Sequence, residues 1–395
     1  MPRTAARPRT VAAAAAVAAG AAACAGYAAG RSAFTLPSTA AASPSPAGLR
    51  LASSTGVHDR TPAGQRPTAP SSAAALRAGV GLAAGLVAGL GLMARRRGAD
   101  KRIVLPRHVG TGRAAGKIET FLVQGPVDAS KLATKCAPLA AHFDLECLAF
   151  FSLGVDAEII ASVAGGALGI HGVCPVFIAD CYGIIGWDEA TKANIELMEE
   201  GRGTEYGGVG GKGGQGVVVV AFRGGNHVAT AGEESLPADR GMHLVVRGSG
   251  SPAAPATGAI CGGVAKACYR LEHSGDLVGV PQFAVSTPAG VVSSFAGDAG
   301  EAAEAVLKAL PEPSAPPLAT GYFPCFMRGV NQYGEDGVEP AAFASKGLDA
   351  PIFGMFAHGE LGPPKGAPVV CSAEEPPKTD VEMHSMTSVL ALYGR

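Results

Sequence analysis

The sequence predicts an α+β fold with mixed or antiparallel sheets and flanking helices, placed after a disordered, partly hydrophobic leader. Three observations predict it. Runs of β-branched and aromatic residues bounded by Gly, Pro or Asp recur after residue 100. Several of these runs follow one another with no helical stretch between them, which argues against a doubly wound parallel sheet. Composition also changes sharply near residue 100. Residues 1–99 hold eleven arginines, no lysine and one acid, Asp59, while all the lysines and nearly all the acids lie beyond. A step of this kind separates a leader from a folded part.

Within residues 1–100, Arg3, Arg7 and Arg9 precede an alanine-rich apolar run, as in a signal peptide. A Ser/Thr/Pro/Arg-rich, acid-poor stretch follows. Seventeen apolar residues, 78–94, then end at Arg95, Arg96 and Arg97. That length is the lower limit for a membrane-spanning helix. The order of parts, with Phe34 near the start of the polar stretch, resembles leaders that carry proteins into the complex plastids of dinoflagellate-type algae. It implies plastid delivery by the secretory route. Alternatives are a secreted or endomembrane protein anchored by 78–94, or a cytosolic one if the leader is not functional.

Along the rest of the chain, strands are expected at "KIETFLVQG", "LECLAFFSLG", "CPVFIADCYGIIGW", "GVVVVAFRGG", "MHLVVRGSG" and "QFAVSTPAGVVSSF". Helices are expected over 129–143, 156–170, 189–200, 257–271 and 299–310, the last capped by Asp298. Four prolines within 311–317 suit neither helix nor inner strand and mark a linker. Two subdomains are therefore expected, 101–312 and 318–395. The second holds a strand at "ATGYFPCFMRG", a helix near 339–346, a strand at "APIFGMFAHGE" and a final strand at "MTSVLALYG".

The net charge of −1 gives no electrostatic footprint for nucleic acid. Nine cysteines include no CxxC pair and no zinc-finger spacing, so no metal or cofactor is expected. Cys261 and Cys268 are expected on one helix face as buried thiols. The loop "GGVGGKGGQG" (207–216) leads into a strand and not a helix, and Lys212 lacks the following Ser or Thr of a phosphate loop. It is expected to be a flexible connection. Asp188 and Glu189 are expected at a helix start.

The C-terminal part holds the candidate site. If the pleat persists, Ile352, Gly354, Phe356, His358 and Glu360 share one strand face, and Gly354 leaves room for a ligand or another backbone. Cys325 or Arg328 from one strand end, and His358 with Glu360 from the other, would then meet in a cleft. An Arg holds a carboxylate by paired hydrogen bonds, and a Glu holds an ammonium, which suits an amino acid. The alternative is a structural ion pair between Arg328 and Glu360.

"FPCFMRG", "VEPAAF" and "APIFGMFAHGELGP" together resemble the C-terminal domain of the FIST family. Cys325, Arg328, Gly329, Glu339, Gly354, Gly359, Glu360 and Gly362 hold its pattern, with Leu361 in place of the usual Ile. The closing "MHSMTSVLALYG" is also similar. Residues 115–312 match the FIST N-terminal domain more loosely. The likeness is greatest to the FIST region of F-box only protein 22, although no F-box is apparent. The resemblance implies a sensory module that binds a small, amino-acid-like metabolite or a protein partner, without catalysis. Its ligand-binding residues would be Cys325, Arg328, Gly329, Gly354, His358, Gly359 and Glu360. Two alternatives are a substrate receptor in ubiquitin-dependent turnover and a thiol enzyme using Cys325 with His358 or His384 as base.

Overall fold

The computed structural model describes residues 116–232, 241–251, 258–310, 316–349, 351–372, 377 and 379–394. The leader, including segment 78–94 and Phe34, lies outside the described residues. Among the described residues no helix is long and apolar enough to cross a membrane.

The fold is α+β, as expected, and rests on three mixed sheets. The first runs in spatial order Lys117–Gln124, Gly216–Arg223, Leu145–Leu153, Val176–Asp180, Ala267–Leu271 and Leu277–Val280. The second runs Glu382–His384, Glu360–Gly362, Ala259–Ala265, Met242–Gly248, Gln282–Thr287 and Val228–Ala231. The third runs Val369–Cys371, Gly290–Phe295, Ser388–Tyr393, Ala319–Pro324, Ile352–Met355, Gly183–Asp188 and Ala193–Met198. Each sheet has one parallel pair, and its other pairs are antiparallel. Strands from both sides of segment 311–317 share the second and third sheets.

Inner faces of all three sheets meet in one core, where Phe151, Phe177, Phe222, Phe283, Phe353 and Tyr393 pack together. The outer face of the first sheet is covered by helix Ala129–Cys136 and the turns after it. Helices Ala299–Ala309 and Val338–Ser345 cover the outer face of the third. Asp298 caps its helix as expected, and Asp128 caps the first helix in the same way. The Asp298 side chain accepts from Glu301 N at 2.9 Å, and Asp128 accepts from Lys131 N at 2.7 Å.

Two expected helices are strands. Over 189–200 the chain forms Ala193–Met198, which returns along Gly183–Asp188 as a hairpin. Asp188 does not start a helix. Its carboxylate accepts from Ala190 N and Thr191 Oγ1 and so closes the turn, with Lys192 at φ 54. Over 257–271 the chain forms Ala259–Ala265 and Ala267–Leu271 in different sheets, so Cys261 and Cys268 share no helix face. Small residues in "AICGGVA" admit close neighbours on either side.

Several expected single strands change sheet midway. "CPVFIADCYGIIGW" passes from the first sheet to the third at Cys181 and Tyr182. "APIFGMFAHGE" passes from the third sheet to the second between Met355 and Glu360. The pleat therefore does not persist, and His358 is exposed while Glu360 is fully buried.

Gly354 faces backbone and not a ligand. It sits opposite Tyr322 in the parallel pair, and a Cβ there would lie 1.7 Å from the Tyr322 carbonyl oxygen. Because the obstacle is backbone, Gly354→Ala should cost about 3 kcal/mol in urea unfolding. A change below about 0.5 kcal/mol would contradict the close strand approach.

Candidate functional site

The site begins where strand Ala319–Pro324 runs out. Cys325 makes one further bridge, to Ala357, and its carbonyl accepts from Arg328 N at 2.8 Å. Gly329 then turns the chain with φ 59 and ψ −137. That backbone conformation suits glycine, and a Cβ would also meet the Phe356 ring at 2.8 Å and Glu196 Oε2 at 3.0 Å. Short helices Val330–Tyr333 and Val338–Ser345 carry the chain back to Ile352–Met355.

This turn points Arg328 inward, where it is 1% exposed. Its Nε donates to Glu339 Oε1 at 2.8 Å, and its Nη2 also contacts that oxygen. Nη1 donates to the Ala296 carbonyl at 3.1 Å, and Nη2 donates to Tyr333 Oη at 3.0 Å. Tyr333 Oη and Ser388 Oγ donate in turn to the two oxygens of Glu339, at 2.8 and 3.1 Å. The ion partner of Arg328 is thus Glu339 and not Glu360, and its donors are spent inside the protein.

In front of this network lies a cleft of about 510 Å³. Three chain segments wall it. The turn after strand Ala319–Pro324 supplies Cys325 and Met327, the strand switch supplies His358 and Gly359, and strand Glu382–His384 with the turn after it supplies Met383 and Met386. Tyr206 closes a further side. Tyr206, Met383 and Met386 are 62, 64 and 51% exposed, so three large apolar side chains stand in water around one cavity. Met386 also holds φ 58, which costs a methionine on the order of 1 kcal/mol. Exposed apolar groups and local backbone strain both recur at binding surfaces.

Aromatic stacking supports one wall. The Arg202 guanidinium lies 4.3 Å from the Tyr182 ring centre and 4.5 Å from that of Phe326. The His358 ring lies against the same two rings, at 5.7 and 5.4 Å. Asn331 fastens the loop beneath. Its Nδ2 donates to the Arg202 and Phe326 carbonyls, and its Oδ1 accepts from Gly210 N at 2.8 Å. The glycine-rich loop 207–216, expected as a flexible connection, is thereby pinned, and Lys212 pairs with Asp336 at 2.9 Å.

Burial sets the electrostatics. It raises the Glu360 carboxyl to about 7, a shift reduced by the nearby Cys325 thiol and the Thr387 N–H. Glu360 Oε1 has no hydrogen-bond partner. Burial, and then the Glu360 charge, push the Cys325 thiol up to about 11, while the backbone N–H groups of Met327 and Met386 favour its thiolate. Glu196, behind Gly329, is also raised to about 7 by burial. Burial opposes charge on Glu339 and Arg328 alike. Burial raises the Glu339 carboxyl to about 8, but the always-protonated guanidinium and the Tyr333 and Ser388 hydroxyls all donate to its oxygens and hold the charged form, so the contact is an ion pair.

Of the expected site residues, the cleft gathers Cys325, His358 and Gly359, with Glu360 behind Cys325. Arg328, Gly329 and Gly354 do not line it. They fix the turn and the strand pair that hold it. His384 lines the cleft, and its Nε2 donates to the Pro363 carbonyl at 2.8 Å. Glu360 stands beside the Cys325 thiol, and His358 and His384 line the same cleft. Tyr206 and the two exposed methionines escaped the sequence analysis. The only signal for the methionines was the repeated Met of "MHSM" beside a predicted strand. No protein-family model matches the chain, and no curated protein matches it.

Glu196 and Glu360 hold protons more tightly folded than unfolded. Their stabilising contribution is complete below pH 4.5 and is lost as pH rises through about 7. Glu360→Gln should therefore flatten the fall in unfolding free energy between pH 5 and 8. It should raise stability at pH 8 by up to about 3 kcal/mol. An unchanged slope would contradict the buried, proton-binding carboxyl.

Proposed function

We propose that the chain is a FIST-type sensory protein that binds a small metabolite in the Cys325–His358–Met383 cleft, delivered to a plastid by its first 100 residues. One observation carries the ligand assignment. Exposed Tyr206, Met383 and Met386 converge on a single cleft of about 510 Å³, a volume in the range of small-molecule pockets. The FIST-like sequence pattern supports it, because the patterned residues either wall the cleft or hold the turn beneath it. Arg328 is spent on Glu339, so the carboxylate clamp of the amino-acid expectation is absent. The favoured ligand has an apolar body for the methionine and tyrosine rim and a polar end facing Cys325 and His358.

A thermal-shift screen of the chain against amino acids and related metabolites tests this. A ligand at one hundred times its dissociation constant stabilises by roughly 2.7 kcal/mol. Tyr206→Ala and Met383→Ala, both at exposed positions, should keep the unliganded stability within about 0.5 kcal/mol and abolish the shift. No stabilising compound across a broad panel, or a shift indifferent to both variants, would overturn the assignment.

A further inference from the structure

Strand Lys117–Gln124 is the outermost strand of the first sheet, and among the described residues only Gly216–Arg223 pairs with it. The register fixes which of its backbone groups are used. Gly125 N donates to the Gln215 carbonyl at 2.8 Å, so every second residue back from Gly125 bonds to the partner strand. The N–H and C=O groups of Ile118, Thr120 and Leu122 therefore face the other way. Among the described residues no backbone hydrogen bond meets them there.

That edge opens on a cleft of about 440 Å³, separate from the Cys325–His358–Met383 cleft. The unbroken run 117–122 lines it, so the strand presents its backbone edge to the cavity as well as side chains of both faces. Lys135 and Leu139 form one wall, and Glu189 and Pro351 form another. Within the cleft Thr120 is 8% exposed, and its Oγ1 has no hydrogen-bond partner. Farther along the same edge, the Gln124 carbonyl accepts from Lys131 Nζ at 2.7 Å.

We propose that this edge docks an extended peptide segment of a partner protein, added as a further strand of the first sheet, in which apolar and acidic residues alternate.

Hydrogen-bond chemistry selects the extended peptide. Three outward-facing residues, two apart, offer donor and acceptor in a repeat that the backbone of another strand matches in step. A buried hydroxyl without a partner adds a further group for the segment to satisfy. Side chains select the sequence. Ile118 and Leu122 belong to the core shared by the three sheets, so the segment's residues on that face are apolar. The other face meets Lys135, for which no described carboxylate is a partner. The acids nearby are engaged already. Glu119 is held by Lys117 and Arg223, Glu189 by Lys192, and Asp188 by its own turn. An acidic residue on this face therefore complements the site. Walls on both sides leave room for one strand and not for the edge of a second sheet.

The test uses the full chain and a labelled short peptide alternating valine and glutamate, with a valine–lysine peptide as control. Fluorescence anisotropy should show the glutamate peptide binding with a Kd below about 1 mM. Its binding should slow amide hydrogen exchange at Ile118, Thr120 and Leu122, whereas Glu119 and Phe121 are protected beforehand by the existing ladder. Lys135→Glu, at an exposed position, should weaken the glutamate peptide about fivefold and strengthen the lysine peptide. Absence of binding, or binding that leaves exchange at those three amides unchanged, overturns the proposal. So does protection of the same amides without peptide that grows with protein concentration, which would give the edge to a second copy of the chain.

Discussion

The buried ion pair between Arg328 and Glu339 is the constraint on which the rest of the site depends. Taking two charges out of water is costly, and a pair recovers that cost only when the remaining donors and acceptors are satisfied. Here they are. The guanidinium binds Glu339, the Ala296 carbonyl and Tyr333, and the carboxylate also accepts from Tyr333 and Ser388. The pair thus ties the segment entering helix Ala299–Ala309, the two short helices after Gly329, and the start of the last strand. Cys325 and Met327 lie just before Arg328, and Met383 and Met386 lie just before Ser388. Both facing walls of the cleft hang from the same pair.

The cleft is then a consequence of strand exchange. The chain leaves the third sheet after Met355 and joins the second at Glu360. The connection between them exposes His358 and buries Glu360, which the chain could not do in one continuous strand. A carboxyl buried with one free oxygen beside a thiol is costly to stability. Shifted carboxyls of this kind cluster at functional sites, and structural networks also produce them.

Much of the fold was legible in the sequence, because its signals are local. "GVVVVAF" and "LECLAFF" form inner strands, and Asp298 caps the helix expected of it. The segment 189–200 misled because an acidic, apolar run reads equally well as a helix. Only the Asp188 turn and the partner strand Gly183–Asp188 decide for a hairpin. The segment 257–271 misled because Gly and Ala carry little strand signal of their own, and its neighbours are distant in sequence. In the site, the important residues were visible but their roles were not. Strand alternation placed Arg328 toward a ligand, whereas the turn at Gly329 sends it toward Glu339. Tyr206 reaches the cleft only because Asn331 pins a loop more than a hundred residues away in sequence.

The measurement that tests the central claim most directly is a double-mutant cycle on Arg328 and Glu339, read by denaturant unfolding. Arg328→Met and Glu339→Leu should each cost about 3–5 kcal/mol by stranding a buried charge. The double variant should recover much of that loss and show a coupling of several kcal/mol. Single losses below about 1 kcal/mol that simply add would contradict a turn and cleft held by this pair.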